Sequence, residues 1–248
     1  MIKPKTKEEI EVMRKGGQKL SLIKEALRDA VAPGATPWEL DKMAEKLILA
    51  AGGQPSFKTV KNYLWSTCIN VNDGVVHGVP DRTPFKNGDI VSVDVGLFYK
   101  GFHTDTSFTV PVGGVSGEVK RFLAAGERAL SESLDRVKLG NRVSDISRTM
   151  ERILEAEGYS PVTALTGHGI GRELHEKPSI PCFYTEHVKD ERIPEGAALA
   201  IEVIYMAGSP ELVLGRDGWT LSTKDGKIAA LFEETVVAAT SGPQVLTA

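Results

Sequence analysis

Cysteine is nearly absent from this chain: Cys68 and Cys182 are the only two in 248 residues. Two thiols cannot build a disulfide framework, so a reduced, cytoplasmic protein is the simpler expectation. A basic excess is also missing. The formal net charge is −3, and the one lysine-rich stretch is MIKPKTK at the start. That argues against nucleic acid as the main partner, because polyanion binders carry clustered cationic charge. No uncharged apolar run approaches the roughly 20 residues needed to span a bilayer, so a soluble protein with no membrane role is expected. The opening MIKPKTKEEIEVM alternates charged and apolar residues and lacks the continuous apolar centre of a signal peptide. What remains, 41% hydrophobic and 25% charged, is ordinary globular composition that predicts a sizeable buried core.

The chain repeats itself. Val31 to Gly53 reads VAPGATPWELDKMAEKLILAAGG, and Val137 to Tyr159 reads VKLGNRVSDISRTMERILEAEGY. Gly34 matches Gly140, Leu40 matches Ile146, Glu45 matches Glu151, Leu47 matches Ile153 and Gly52 matches Gly158. Each copy predicts a glycine turn, an N-cap (Thr36 with Pro37 at the first helical position, or Ser144), an amphipathic helix and a terminating glycine. A second echo follows. Gly88-Asp-Ile-Val-Ser-Val-Asp-Val resembles Gly196-Ala-Ala-Leu-Ala-Ile-Glu-Val, and each run puts a carboxylate, Asp94 or Glu202, at the same point of a strand-length apolar segment. The expectation is an α+β protein: a single catalytic domain over residues 1–248, made of two pseudo-symmetric halves of roughly 1–110 and 111–248. The halves would share an antiparallel-rich sheet covered by helices.

Four segments carry carboxylates where apolar residues dominate. Asp94 lies in Ile-Val-Ser-Val-Asp-Val-Gly and Glu202 in Ala-Leu-Ala-Ile-Glu-Val-Ile. Asp105 lies in Gly-Phe-His-Thr-Asp-Thr-Ser, and Glu233-Glu234 in Ala-Ala-Leu-Phe-Glu-Glu-Thr-Val-Val. A carboxylate withdrawn from water costs several kcal/mol unless it is paired or metal-bound. Any one of the four could turn to a wet face. Together, with lysine and arginine scarce beside them, they point to convergence on a polycation, and a pair of divalent metals is the economical candidate. Glu233 and Glu234 are neighbours in an expected strand, so only one of them can face such a site.

Five histidines are present. His77 sits in Asn-Asp-Gly-Val-Val-His-Gly-Val-Pro. His168 and His175 sit in Thr-Gly-His-Gly-Ile-Gly-Arg-Glu-Leu-His-Glu, where glycines let the backbone bend sharply near a site. Their spacing of seven excludes a helical HExxH zinc motif, and no strand-to-helix context supports a phosphate-cradling loop. For His103 and His187 a structural role is the expectation.

These segments, taken in order, resemble the type I methionine aminopeptidases, which share the pita-bread fold with prolidases and creatinase. The matching motifs are Asn72-Asp-Gly-Val-Val-His-Gly-Val-Pro, Asp89-Ile-Val-Ser-Val-Asp-Val-Gly, Gly101-Phe-His-Thr-Asp-Thr-Ser, Gly167-His-Gly-Ile-Gly-Arg-Glu-Leu-His-Glu, Ile201-Glu and Phe232-Glu-Glu-Thr. The resemblance covers nearly the whole chain. It implies that Asp94 chelates one metal, that Asp105 and Glu233 bridge two, and that His168 and Glu202 complete the second ion's ligands. The ions would be cobalt, manganese, iron or zinc, a choice that mixed oxygen and imidazole donors leave open. They would activate water for attack on the scissile carbonyl. Glu202 would shuttle the proton to the leaving amine, His175 would contact the scissile amide, and His77 would help stabilise the intermediate. Cys68 and Trp219 match positions that line the methionine pocket.

The resemblance also implies the N-terminus of nascent chains as substrate, with any ribosome contact made by the catalytic domain's own surface, and a monomer is expected. Three departures stand out. Leu174 precedes His175 where an aromatic is usual, and Val203 follows Glu202 where proline is typical, which predicts a looser strand exit. Glu234 replaces the usual histidine after the metal-binding glutamate, and the segment from Phe57 to Trp65 also differs. These bear on side-chain specificity more than on metal binding. The family register selects Glu233 as the ligand, whereas aligning Asp105-Thr106 with Glu234-Thr235 inside this chain selects Glu234. Two other readings compete: a pita-bread peptidase of Xaa-Pro specificity, which usually carries an additional N-terminal domain, and a non-catalytic binding protein, which tends to lose metal ligands.

Overall fold

The computed structural model describes residues 1–248. Two helices open the chain, α1 (Lys7–Ala30) and α2 (Pro37–Ala50). Each begins at a threonine whose hydroxyl accepts the backbone N–H three residues on, while the glutamate there accepts the threonine's own N–H: Thr6 with Glu9 and Thr36 with Glu39. Such reciprocal caps satisfy two of the donors that a helix start leaves unpaired. Short strands follow, β1 (Gln54–Pro55), β2 (Thr67–Val71) and β3 (Gly74–Val76). The hairpin β4 (Ile90–Tyr99) and β5 (Phe102–Pro111) turns through Lys100 and Gly101. Both have positive φ, 48° and 89°, the backbone that a two-residue hairpin turn requires.

The chain then gives two more helices, α3 (Gly117–Leu134) and α4 (Val143–Ala156), followed by β6 (Ser160–Pro161), β7 (Thr166–Gly169), β8 (Glu176–Pro181) and β9 (Ala198–Met206). The small strands β10 (Leu212–Leu214) and β11 (Leu221–Thr223) precede the long β12 (Ala229–Ala239) and β13 (Gly242–Val245). Gly34 and Gly140, Gly52 and Gly158, and Gly88 and Gly196 all take positive φ, so the matched glycines of the two copies occupy matching turns. One expectation fails. The cap of α4 is Arg142, in extended conformation with its N–H held by Asp145, and not Ser144. Ser144 lies inside the first turn, and its N–H is claimed by Asp190 at 3.0 Å, so its hydroxyl has no capping duty.

All strand pairs are antiparallel. The main sheet has ten strands along the path β1-β4-β5-β12-β9-β7-β8, with β2 paired to β4, β6 to β9 and β13 to β12. β10, β11 and β3 make a separate three-stranded sheet. This is the pita-bread arrangement, an α+β fold in which four helices cover an antiparallel sheet. On β4, Val91, Val93, Val95 and Leu97 pack with Leu20, Leu27, Leu40 and Ile48 of α1 and α2. On β9, Leu199, Ile201, Val203 and Tyr205 pack with Phe122, Ile146, Met150 and Ile153 of α3 and α4. Val203 is fully buried and paired to Phe232, and β9 continues to Met206, so the looser exit expected there is not found. With helices holding one set of alternate residues, the other set must face the opposite side. No helix is long and apolar enough to cross a membrane.

Candidate metal centre

The helix-free face of the sheet collects the acidic residues. Pairing aligns Asp94 with Ser107, Ser107 with Glu233, and Glu233 with Glu202, a single row across β4, β5, β12 and β9. Asp105 stands two residues along β5 on the same face. His168, on β7, pairs with Ala200, two residues from Glu202. Since adjacent strands lie about 4.8 Å apart, side chains from this row can meet over β5 and β12. Ligand atoms of Asp105, His168 and Glu233 lie within 4.8 Å of one another. Asp94 and Glu202 line the same cavity of about 590 Å³, as do His77, His175, Cys68, Leu174 and Trp219.

Strand alternation separates the two adjacent glutamates. Glu233 is 1% exposed and lines the cavity. Glu234 points to the helix side, where Lys24 of α1 lies 2.6 Å from its carboxylate. His103 and His187 lie outside the cavity. His103 is buried with Nδ1 against Ser56 Oγ, a structural contact as expected, and His187 is exposed.

Asp94, Asp105, Glu202 and Glu233 have no lysine or arginine partner, whereas Glu176, also on the cavity wall, pairs with Lys5 at 2.7 Å. Buried oxygens of Asp94 (Oδ1) and Glu233 (Oε1) have no hydrogen-bond partner, and neither does the hydroxyl of Ser107 in the same row. Burial lifts Asp94, Asp105, Glu202 and Glu233. Asp105 is raised to about 7, and Glu202, with added repulsion from Asp105, to about 8. Asp94 and Glu233 stand well above the carboxylate range, again through burial first and then through the neighbouring acids. His168 moves the other way, to about 4, because burial disfavours its cation and His175 adds to that. Its Nδ1 meets the carbonyl of Gly169 at 2.9 Å, which makes Nδ1 the donor and leaves Nε2 a free lone pair. Orphaned acid oxygens beside a neutral imidazole fit a divalent metal.

Backbone hydrogen bonds hold the donors in place. Thr235 Oγ1 accepts from Asp105 N at 2.9 Å and donates to Asp105 O at 2.8 Å, tying β12 to β5 at the ligand itself. His77 takes φ 58°, a conformation uncommon for a residue with a Cβ, and this directs its ring to the cavity. The rings of His168 and His175 meet edge to face with centroids 4.6 Å apart. Partial loss of solvent holds His77 and His175 below the usual histidine value, so both are neutral donors at pH 7.

Further lining residues were not singled out in the sequence, although Phe57, Val60 and Tyr63 lie in the segment 57–65 that departs from the family. Tyr63 stacks edge-on with both Trp65 and Trp219, at 5.2 and 5.1 Å between ring centroids. Its hydroxyl donates to the carbonyl of Thr67 at 2.9 Å. Phe57, Val60, Val76, Leu165 and Ile204 extend the apolar wall. A cluster of Tyr63 and Trp65 in a loop was the available signal, but nothing local says that Trp219 will reach it.

The helix-covered antiparallel sheet and its acidic row define a class, and the comparisons agree: residues 11–240 match metallopeptidase family M24, and the chain belongs to that family. Its relatives are narrower. A methionine aminopeptidase of Clostridium perfringens is 39% identical over 100% of this chain and 99% of its own length. Methionine aminopeptidase 1 of Bacillus subtilis is likewise 39% identical over 247 residues, covering 100% and 99%. The methionine aminopeptidase structure from Thermotoga maritima superposes with a TM-score of 0.96 at 35% identity, over 100% of this chain and 99% of that one. The prolidase of Pyrococcus furiosus shares the fold at a TM-score of 0.79 and 24% identity, over 99% of this chain but only 65% of the prolidase.

Proposed function

We propose that this protein is a methionine aminopeptidase that removes the first residue from peptides and nascent chains. The observation that carries the reading is the joint lining of one cavity by an acidic row with His168 and by the apolar side chains of Phe57, Tyr63, Cys68 and Trp219. Such a cavity suits a substrate with an apolar side chain beside a charged amino terminus. The full-length likeness to proteins named methionine aminopeptidase supports it.

Asp94, Asp105 and Glu233 would hold the metal, with His168 and Glu202 completing the donor set for two ions, cobalt, manganese, iron or zinc. When bound, such ions supply Lewis acidity toward a carbonyl and make water acidic near neutral pH. Glu202, ionised once metal is held, would accept a proton on its carboxylate and pass it to the departing amine. His175 and His77, neutral and open to the cavity, can donate ring N–H groups to the scissile amide and to the oxygen that gains charge. Cys68 and Trp219, with Tyr63 between them, form the side-chain pocket, and Leu174 sets its width where an aromatic would narrow it. Trp219 in that wall has a ring partner in Tyr63, so it is both packed and available to a methionine thioether.

The remaining elements of the reading are a single catalytic domain over 1–248 with related halves, a cytoplasmic location, a monomer, and docking at the ribosome through the domain's own surface. The test is release of methionine from Met-Ala-Ser, abolished by chelator and restored by metal, with metal content measured on the same sample. Preference for Ala-Pro-Pro would overturn the specificity in favour of an Xaa-Pro enzyme, and a protein that takes up no metal would overturn the enzyme reading in favour of a binding module.

A further inference from the structure

β12 carries Glu233 and Glu234 to opposite faces, and the second of these is out of place by composition. Its side of the strand otherwise presents Phe232, Val236 and Ala238 to the helix-side core. A glutamate in that layer requires compensation, and the compensation is complete. Lys24 Nζ lies 2.6 Å from Glu234 Oε1, with the two side chains only 5% and 13% exposed. The other oxygen accepts a hydroxyl hydrogen bond from Thr247 and shares the single Thr106 hydroxyl proton, at 3.2 Å, with the carbonyl of Glu233. Thr106 links this group to the cavity: its hydroxyl lies 2.9 Å from Glu233 O, and its N–H donates to Asp105 Oδ1 at 3.1 Å.

A buried ion pair whose only task were to anchor α1 would be replaceable by apolar residues with little loss. This one sits one residue from a cavity carboxylate, behind a site that already holds four. We propose that Lys24 is a positioning residue for the metal centre: its ammonium holds Glu234 on the helix side of β12 and cancels its charge, so that Asp94, Asp105, Glu202 and Glu233 alone set the field a metal ion meets. This rests on the metal-centre reading above and adds to it a residue on α1 that touches neither metal nor substrate.

Calorimetric titration of the chelator-stripped protein with manganese(II) at low ionic strength tests it. Glu234→Gln keeps the side-chain shape and leaves the Lys24 ammonium uncompensated. At an effective dielectric near 20, one uncompensated like charge behind the site weakens binding of a divalent ion by at least about tenfold. Lys24→Met combined with Glu234→Gln removes both charges and should return the dissociation constant to within about twofold of the parent, even though it disturbs more contacts. A purely structural role predicts the reverse order, with the double variant no better than the single. Circular dichroism confirms that both variants fold. Equal affinity for parent and Glu234→Gln, or no recovery in the double variant, overturns the proposal while leaving the metal centre intact. A parent that binds none of manganese, cobalt and zinc in the same titration overturns the metal-centre reading and this proposal with it.

Discussion

Metal uptake by this protein should expel protons, and the number follows from the buried acids. In the metal-free protein at pH 7, Asp105 at about 7 carries about half a proton and Glu202 at about 8 roughly nine-tenths of one. Burial and the neighbouring acids raise Asp94 and Glu233 as well. His168 at about 4 is already neutral and contributes none. A metal ion needs these carboxylates ionised, so binding at pH 7 releases at least about one proton. The apparent dissociation constant should then fall at least about tenfold between pH 6 and pH 7. Calorimetry in buffers of different ionisation enthalpy measures the proton count directly. A count near zero at pH 7, with affinity flat across that range, would refute the argument that burial dominates these acids. The same acids fix the sign of the metal-free stability curve. Their folded values exceed the unfolded ones, so the folded state binds more protons, and stability present at low pH is lost as pH rises from about 4 toward 8. For Asp105, moving from 3.8 to about 7, the loss reaches at most about 4 kcal/mol, less as water enters the site. Metal-free protein should therefore melt lower at pH 8 than at pH 5.5, and added metal should close the gap.

Asp94→Ala should abolish methionine release, by at least ~1000-fold, with circular dichroism unchanged, because it removes a metal donor while relieving repulsion in the acidic row. His175→Ala should lower kcat roughly 100-fold with metal content retained, because it removes a neutral donor and no ligand; equal metal loss in both variants would show that His175 is itself a ligand. Gly126→Ala should lower Tm, since a Cβ there would sit 2.5 Å from Tyr205 Cε1 and 2.6 Å from Phe232 Cε2, an overpacking cost of about 1–3 kcal/mol. An unchanged Tm would mean that α3 can move away from the sheet at little cost.

The sequence determined the strands, the helices and the identity of the chemistry-bearing residues, because each of these is written in local pattern. Val91, Val93, Val95 and Leu97 alternate with Ser92, Asp94 and Gly96, and period-two alternation fixes which residues share a face before any partner is known. Caps such as Thr36 with Glu39 are likewise local, although Ser144 shows that a remote acceptor, Asp190, can displace one. The repeat paired Asp94 with Glu202 by position alone. Tertiary structure decided the rest. Alternation says that Glu233 and Glu234 diverge but not which one faces the cavity; that follows from β12 lying between β5 and β9 with Lys24 behind it. Local pattern could not show that Tyr63, Trp65 and Trp219 form one wall, because their meeting depends on packing between segments more than 150 residues apart. The raised acids are the clearest case. Each is an ordinary carboxylate in its own segment, and only burial in the company of the others turns the four into a site that calls for metal.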